Sequence, residues 1–203
     1  MFDLNLWAKC QERSMMGDVR MAQIHSLMTE SLSLTPPHHA IAEIGVLKGG
    51  TSKYLSMVAS GRKIYLFDTF NGLPEDFINP MDGMWNKNDF SDIHIDEVKR
   101  YLSDCDNIVF NIGIFPFTAY QLLEKYFCFV LIDCVLYYST YSSLLYFSNK
   151  VNQYSNIIVD DYGRPECPGV KIAVDNFLNQ NKNFKSKELN DFMIQINKEV
   201  LDG

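Results

Sequence analysis

The chain has 203 residues, 47% of them hydrophobic and 21% charged, with 25 Asp and Glu against 18 Lys and Arg for a net charge of −7. That length suits one domain better than two, and so much apolar surface excludes disorder over most of the chain. The acidic balance argues against a broad cationic face for nucleic acid and makes a small molecule the default partner.

No apolar run approaches the roughly 18 residues of a membrane span; the richest, 127–132, stops at Asp133. The first 18 residues are interrupted by Asp3, Lys9, Glu12 and Arg13, so no secretory signal is expected. Cys10, Cys105, Cys128, Cys134 and Cys167 form no CxxC pair, and their odd number suits no closed disulfide framework. Reduced thiols in a cytoplasmic protein are the simplest expectation.

The order of elements begins with a helix over about 17–32, part of an N-terminal helical cap (1–36) on a single domain spanning 37–203. Short apolar runs then alternate with helix-compatible stretches: a strand over 40–44, a helix over 51–59, a strand over 63–67. A long segment, 71–92, carries Gly72, Pro74, Pro80 and Gly83 without a sustained period, as binding loops often do. A helix over 92–103, with Ile95, Val98 and Leu102 at helical spacing, leads to a strand over 107–112. Pro116 opens a predicted helix over 117–126, followed by a strand over 127–132 and a helix over 139–151. A strand over 157–159 and a helix over 169–179, with Val170, Val174 and Phe177 on one stripe, complete the alternation. Runs 184–188 and 192–197 flank Leu189-Asn190-Asp191 and read as a closing antiparallel hairpin, with Phe192, Ile194 and Ile196 on one face. Unalternated strands between helices of this length predict an α/β fold with a doubly wound, mostly parallel sheet.

In such a sheet a ligand sits beyond the carboxyl ends of the strands. The first strand leads through Glu43 into Gly45, Gly49 and Gly50, where backbone can approach a ligand and the next helix offers free N–H groups. The spacing is not GxGxxG, and a plain strand-to-helix turn is the simpler alternative. Asp68 ends the second strand about 25 residues after Glu43, a placement that suits an acid accepting ribose hydroxyls. Glu43 would repel a diphosphate but suit a sulfonium or an amino group.

Asp133 ends the fourth strand and Asp160-Asp161 the fifth, so three carboxylates should meet at one sheet edge. Bare acids that close raise one another's pKa values, and a hard divalent cation such as Mg²⁺ would relieve the conflict. Simple helix and turn capping is the competing reading. His94, after the long loop, is a candidate to reach the site, whereas His25, His38 and His39 read as packing or surface residues. Lys48 and Arg164 are candidate anchors for an anionic group, against ordinary surface charge.

Taken in order, the segments resemble the macrocin O-methyltransferase family. They are Glu43-Ile-Gly-Val-Leu-Lys-Gly-Gly50, Phe67-Asp-Thr-Phe-Asn-Gly-Leu-Pro-Glu75, Gly113-Ile-Phe-Pro-Phe-Thr118, Ile132-Asp-Cys-Val-Leu-Tyr-Tyr-Ser-Thr140 and Ile157-Ile-Val-Asp-Asp-Tyr-Gly163. The resemblance implies a Rossmann-like class I methyltransferase fold, seven strands with the last antiparallel, and S-adenosylmethionine as cofactor. It implies that Glu43 and Gly45 hold the methionine end and Asp68 the ribose, with Gly49, Gly113 and Asp133 in the same cofactor-binding set. It also implies Asp133, Asp160 and Asp161 as Mg²⁺ ligands beside vicinal hydroxyls of a sugar or other small-molecule acceptor. Asp133 is then the candidate proton acceptor, with His94 as the outside contender.

Where the family commonly has a second acid two residues after the first, this chain has Val135; Phe117 replaces an acid after Pro116, and Tyr154-Ser155-Asn156 replaces a glycine pair. A Mg²⁺-dependent O-methyltransferase is therefore the expected function. The alternatives are an S-adenosylmethionine-binding protein without turnover, motivated by Val135, and a nucleotide-dependent oxidoreductase, disfavoured by the absence of GxGxxG. Neither a nucleic acid nor a membrane is expected as partner, and self-association into a homo-oligomer is left open.

Overall fold

The computed structural model describes residues 1–122 and 125–199. Seven strands form one sheet in the order β3-β2-β1-β4-β5-β7-β6. They are β1 (Ala40–Ile44), β2 (Ile64–Asp68), β3 (Ile108–Ile112), β4 (Phe127–Ile132), β5 (Asn156–Val159), β6 (Phe184–Glu188) and β7 (Ile194–Lys198). The first five run parallel, and β7 is antiparallel to both β5 and β6. The expected α/β architecture, with its antiparallel closing hairpin, is thus what the chain adopts.

The unalternated apolar strands are explained by two cores. Phe127, Val130 and Ile132 of β4 join the layer that includes Phe147, Val174 and Phe177. Phe129 and Leu131 point into the other, with Met21, Ile24, Met28 and Leu55. Burial on both faces favours apolar residues at consecutive positions of β4. Helices α5 (Tyr137–Ser148) and α6 (Pro168–Gln180) pack against each other over the first layer. The second is covered by α1 (Leu4–Gln11), α2 (Asp18–Leu34) and α3 (Gly50–Val58), with α4 (Ile95–Tyr101) contributing Val98. No helix among the described residues is long and apolar enough to cross a membrane.

Four expectations need correction. Helix α1 lies in a stretch for which no separate element was expected; Asp3 caps it by accepting from the Leu6 N–H at 3.0 Å. Trp7, fully buried, fixes it by donating Nε1–H to Asp18 at 3.0 Å. The helix expected over 117–126 is a 3₁₀ turn, Phe117–Leu122, and residues 123–124 lie outside the described set. Side chains from α5 and the residues just after it take the turn's carbonyls: the Tyr146 hydroxyl donates to Ala119 O (2.9 Å) and Lys150 to Leu122 O (3.2 Å).

Helix α4 is shorter than expected, starting at Ile95 because His94 is its extended N-cap. Phe192 is a turn residue rather than part of a strand. It and Asp191 have φ near +60°, Leu189 N–H closes the hairpin onto Met193 O at 2.8 Å, and the exposed ring lies 5.1 Å from the Arg164 guanidinium.

On β6, Lys185, Ser186, Lys187 and Glu188 are all exposed, which discourages pairing with another strand. The reversal of strand order between β1 and β4 opens the crevice in which the site lies.

Candidate active site

A cleft of about 330 Å³ runs along the carboxyl edge of β3, β2, β1, β4 and β5. In that order the strands contribute Gly113, Asp68, Glu43 with Gly45, Asp133, and Asp160 with Asp161. Seven of the predicted site residues therefore share one cavity. Gly49 and His94 do not line it. Gly49 sits at φ +82°, and a Cβ there would press on Val98 of α4 and on Leu102, its C-cap, at 3.2 Å, so its place is in helix packing. His94 is exposed beyond the long loop.

The backbone at the crevice is tightly fitted. Asp133 N–H donates to Ile44 O at 2.8 Å, joining the ends of β1 and β4. Gly45 has φ +87°, and a Cβ there would overlap the Asp133 carbonyl. Leu47 (φ +54°) and Asp161 (φ +61°) hold the left-handed conformation without being glycine, so this edge carries some backbone strain.

Asp68 organises the turn after β1. Its Oδ2 accepts from Val46 N–H (2.7 Å) and Leu47 N–H (3.2 Å), and its Oδ1 from Phe70 N–H (2.8 Å). Those three bonds leave a carboxylate about one further acceptor position. Glu43, 1% exposed, accepts from the Ser52 hydroxyl at 2.6 Å. Burial pushes its pKa up to about 8 against that hydrogen bond, and Asp68 pushes the same way. A cation beside Glu43 would remove the penalty.

Asp133, Asp160 and Asp161 offer oxygens that all lie within 4.8 Å of one another. Burial raises the Asp133 carboxyl well above the usual range, with Asp160 and Asp161 adding to it. Asp160 is raised to about 7, by burial first and by Asp161 next, against the pull of Arg20. Two arginines answer part of the charge: Arg20 Nη1 lies 2.5 Å from Asp160 Oδ2 and Arg164 Nε 2.5 Å from Asp161 Oδ1. Asp160 Oδ1 is buried without a hydrogen-bond partner. An all-oxygen donor set with one buried, unsatisfied carboxylate oxygen fits a hard divalent cation.

Arg164 is thus committed to Asp161, while Lys48 pairs with Asp92 at 3.4 Å outside the cleft. Burial pushes the thiols of Cys134 and Cys167, both lining the cavity, up to about 12, so neither offers a thiolate nucleophile at neutral pH.

Two residues were not anticipated, Arg20 in the cleft and Asp82 in the loop beside it. Arg20 arrives from α2, 140 positions from its partner, and no local pattern announces such a pair. Asp82, 1% exposed, holds the long loop down: its Oδ1 accepts from Tyr137 N–H at the start of α5 (2.6 Å) and its Oδ2 from Asn79 N–H (2.9 Å). The Asn79-Pro-Met-Asp82 capping box was the signal available for it.

The sheet order, with a glycine turn after β1 and an acid ending β2, is that of the class I methyltransferase fold. The model of the family described as Macrocin-O-methyltransferase (TylF) matches residues 7–197, and the chain belongs to that family of O-methyltransferases. Among solved structures, the O-methyltransferase NovP superposes with a TM-score of 0.77 at 22% identity, covering 93% of this chain and 83% of NovP. The calicheamicin methyltransferase CalS11 gives 0.72 at 16% identity, covering 98% and 94%. An apo structure of CalS11, described as a TDP-rhamnose 3'-O-methyltransferase, gives 0.63. No curated protein matches the chain in sequence.

Proposed function

We propose that this O-methyltransferase transfers the methyl group of S-adenosylmethionine to a hydroxyl of a sugar or glycosylated small molecule, with Mg²⁺ held by Asp133, Asp160 and Asp161. The observation that carries the reading is the juxtaposition in one cleft of Glu43, Gly45 and Asp68 with three carboxylates inside 4.8 Å. A sugar acceptor is supported by the family and by the substrate named for CalS11.

S-adenosylmethionine supplies an electrophilic methyl group on a sulfonium, and Mg²⁺ a Lewis acid that lowers the pKa of an acceptor hydroxyl. Glu43 faces the cationic methionine end, and Gly45 lets the backbone come close to it. Asp68 takes a ribose hydroxyl through its remaining acceptor position while fixing the turn. Asp133 lies between the cofactor side and Asp160 in the strand order, so it is assigned the proton released when the acceptor oxygen takes the methyl group. His94, exposed and outside the cleft, is less suited to that role. Apolar Leu73, Pro74, Val135 and Leu136 also line the cleft and would limit the access of water to the reacting atoms.

A second reading, cofactor binding without turnover, is favoured by one residue: Val135 lines the cleft where the family commonly has an acid. Labelled-methyl transfer over a panel of glycosides and nucleotide sugars, with Mg²⁺ and with a chelator, decides between them. Transfer that depends on Mg²⁺ supports the first; cofactor binding with no transfer to any acceptor supports the second.

A further inference from the structure

Arg20 connects three separate parts of the chain. Its guanidinium donates to Asp160 Oδ2 at 2.5 Å and to the Met15 carbonyl at 2.7 Å, and its Nε lies 3.3 Å from the Asp191 carboxylate between β6 and β7. Arg20 is itself 9% exposed, so it is anchored rather than free to swing. Asp160, 2% exposed, is therefore gripped by one oxygen while the other, Oδ1, stays buried and unpartnered. A buried carboxylate oxygen without a partner is costly, and a planar guanidinium bound to its twin fixes how the group is rotated.

We infer that Arg20 is a positioning residue: it holds Asp160 by Oδ2 so that Oδ1 is presented to the divalent cation. Helix α2 thereby becomes part of the metal site and not merely cover for the sheet. The inference rests on the reading of the three aspartates as metal ligands. Partners of this kind orient ligands that would otherwise be free to turn, and their loss typically weakens metal binding ~10–100-fold. The opposite role is a resident counter-cation, with Arg20 neutralising Asp160 in place of a metal; its removal would then strengthen metal binding.

Mn²⁺ binding to the full-length protein, followed by electron paramagnetic resonance, separates these roles. The variants are Arg20→Gln, Arg20→Lys and Asp191→Asn, with S-adenosylhomocysteine affinity and thermal unfolding measured on each. The expected result is Mn²⁺ binding weakened at least about tenfold in R20Q, partly restored in R20K and weakened less in D191N, with S-adenosylhomocysteine affinity within about twofold throughout. Tighter Mn²⁺ binding in R20Q overturns the inference, as does unchanged Mn²⁺ affinity accompanied by a lower melting temperature, which is the mark of a purely structural contact. Wild-type protein that binds no Mn²⁺ overturns the metal reading and this inference with it, whereas wild-type binding unaltered in R20Q overturns the inference alone.

Discussion

The backbone carbonyl of Asp133 occupies the space that a side chain on Gly45 would need. The proposed donor side and the proposed metal side of the cleft are thus joined at one backbone contact. Gly45→Ala must part the ends of β1 and β4 and also accept φ +87°. It is expected to cost about 1–3 kcal/mol in denaturant unfolding and to weaken S-adenosylhomocysteine binding at least about tenfold, ~1.4 kcal/mol. Native affinity in this variant would show that the two ends have slack.

Asp68→Ala separates the two halves of the site. Removing a carboxylate that accepts from Val46, Leu47 and Phe70 loosens the turn as well as deleting the proposed ribose acceptor. Calorimetry should show cofactor affinity at least about tenfold lower, with Mn²⁺ affinity held within about twofold. Asp68→Asn, which keeps one acceptor oxygen, should fall between the two. An unchanged cofactor dissociation constant in Asp68→Ala would remove the ribose assignment.

Much of this arrangement is legible along the chain, and the exceptions share a cause. Strands β1 and β4 coincide with the apolar runs 40–44 and 127–132 because burial on both faces leaves an uninterrupted signature. The acids Asp68, Asp133, Asp160 and Asp161 stand out because each ends or follows such a run. Arg20 stays hidden because its partner Asp160 is 140 positions away and nothing nearby marks the pairing, whereas Asp82 carries a local capping signal with Asn79 but its long-range partner Tyr137 is 55 positions away. Gly49 looks like a ligand-facing glycine, yet the constraint it satisfies comes from Val98 and Leu102, on α4 and at its C-cap. The 117–126 stretch has a helix-compatible start, but Tyr146 and Lys150 claim the carbonyls of its turn.

The ligand-free protein should lose stability as pH rises. Glu43 has an ordinary pKa of 4.5 and a folded value of about 8, so between those values the folded state holds more protons than the unfolded one. Stability then falls with rising pH across that window and levels off above it. Asp160, raised to about 7, acts in the same direction. Glu43→Gln keeps an acceptor for Ser52 but cannot ionise, so its melting temperature should decline less steeply between about pH 5 and 8 than that of the wild type. Parallel curves for the two proteins would show that Glu43 is not buried as an acid.

Asp82 governs the long loop without touching the cofactor side. Asp82→Ala leaves the Tyr137 N–H and the start of α5 without their acceptor. The expected cost is about 1–3 kcal/mol. Proteolysis within residues 71–92 should become faster and the KM for acceptor should rise, while S-adenosylhomocysteine affinity is kept. A loop equally resistant to protease in the variant would refute this role.

The most direct test is calorimetric titration of Mg²⁺ into protein saturated with S-adenosylhomocysteine, for wild type, Asp160→Asn and Asp161→Asn. The account predicts one saturable site in the wild type, lost or weakened at least about tenfold in both variants, with S-adenosylhomocysteine still bound. Identical isotherms for all three proteins would contradict it.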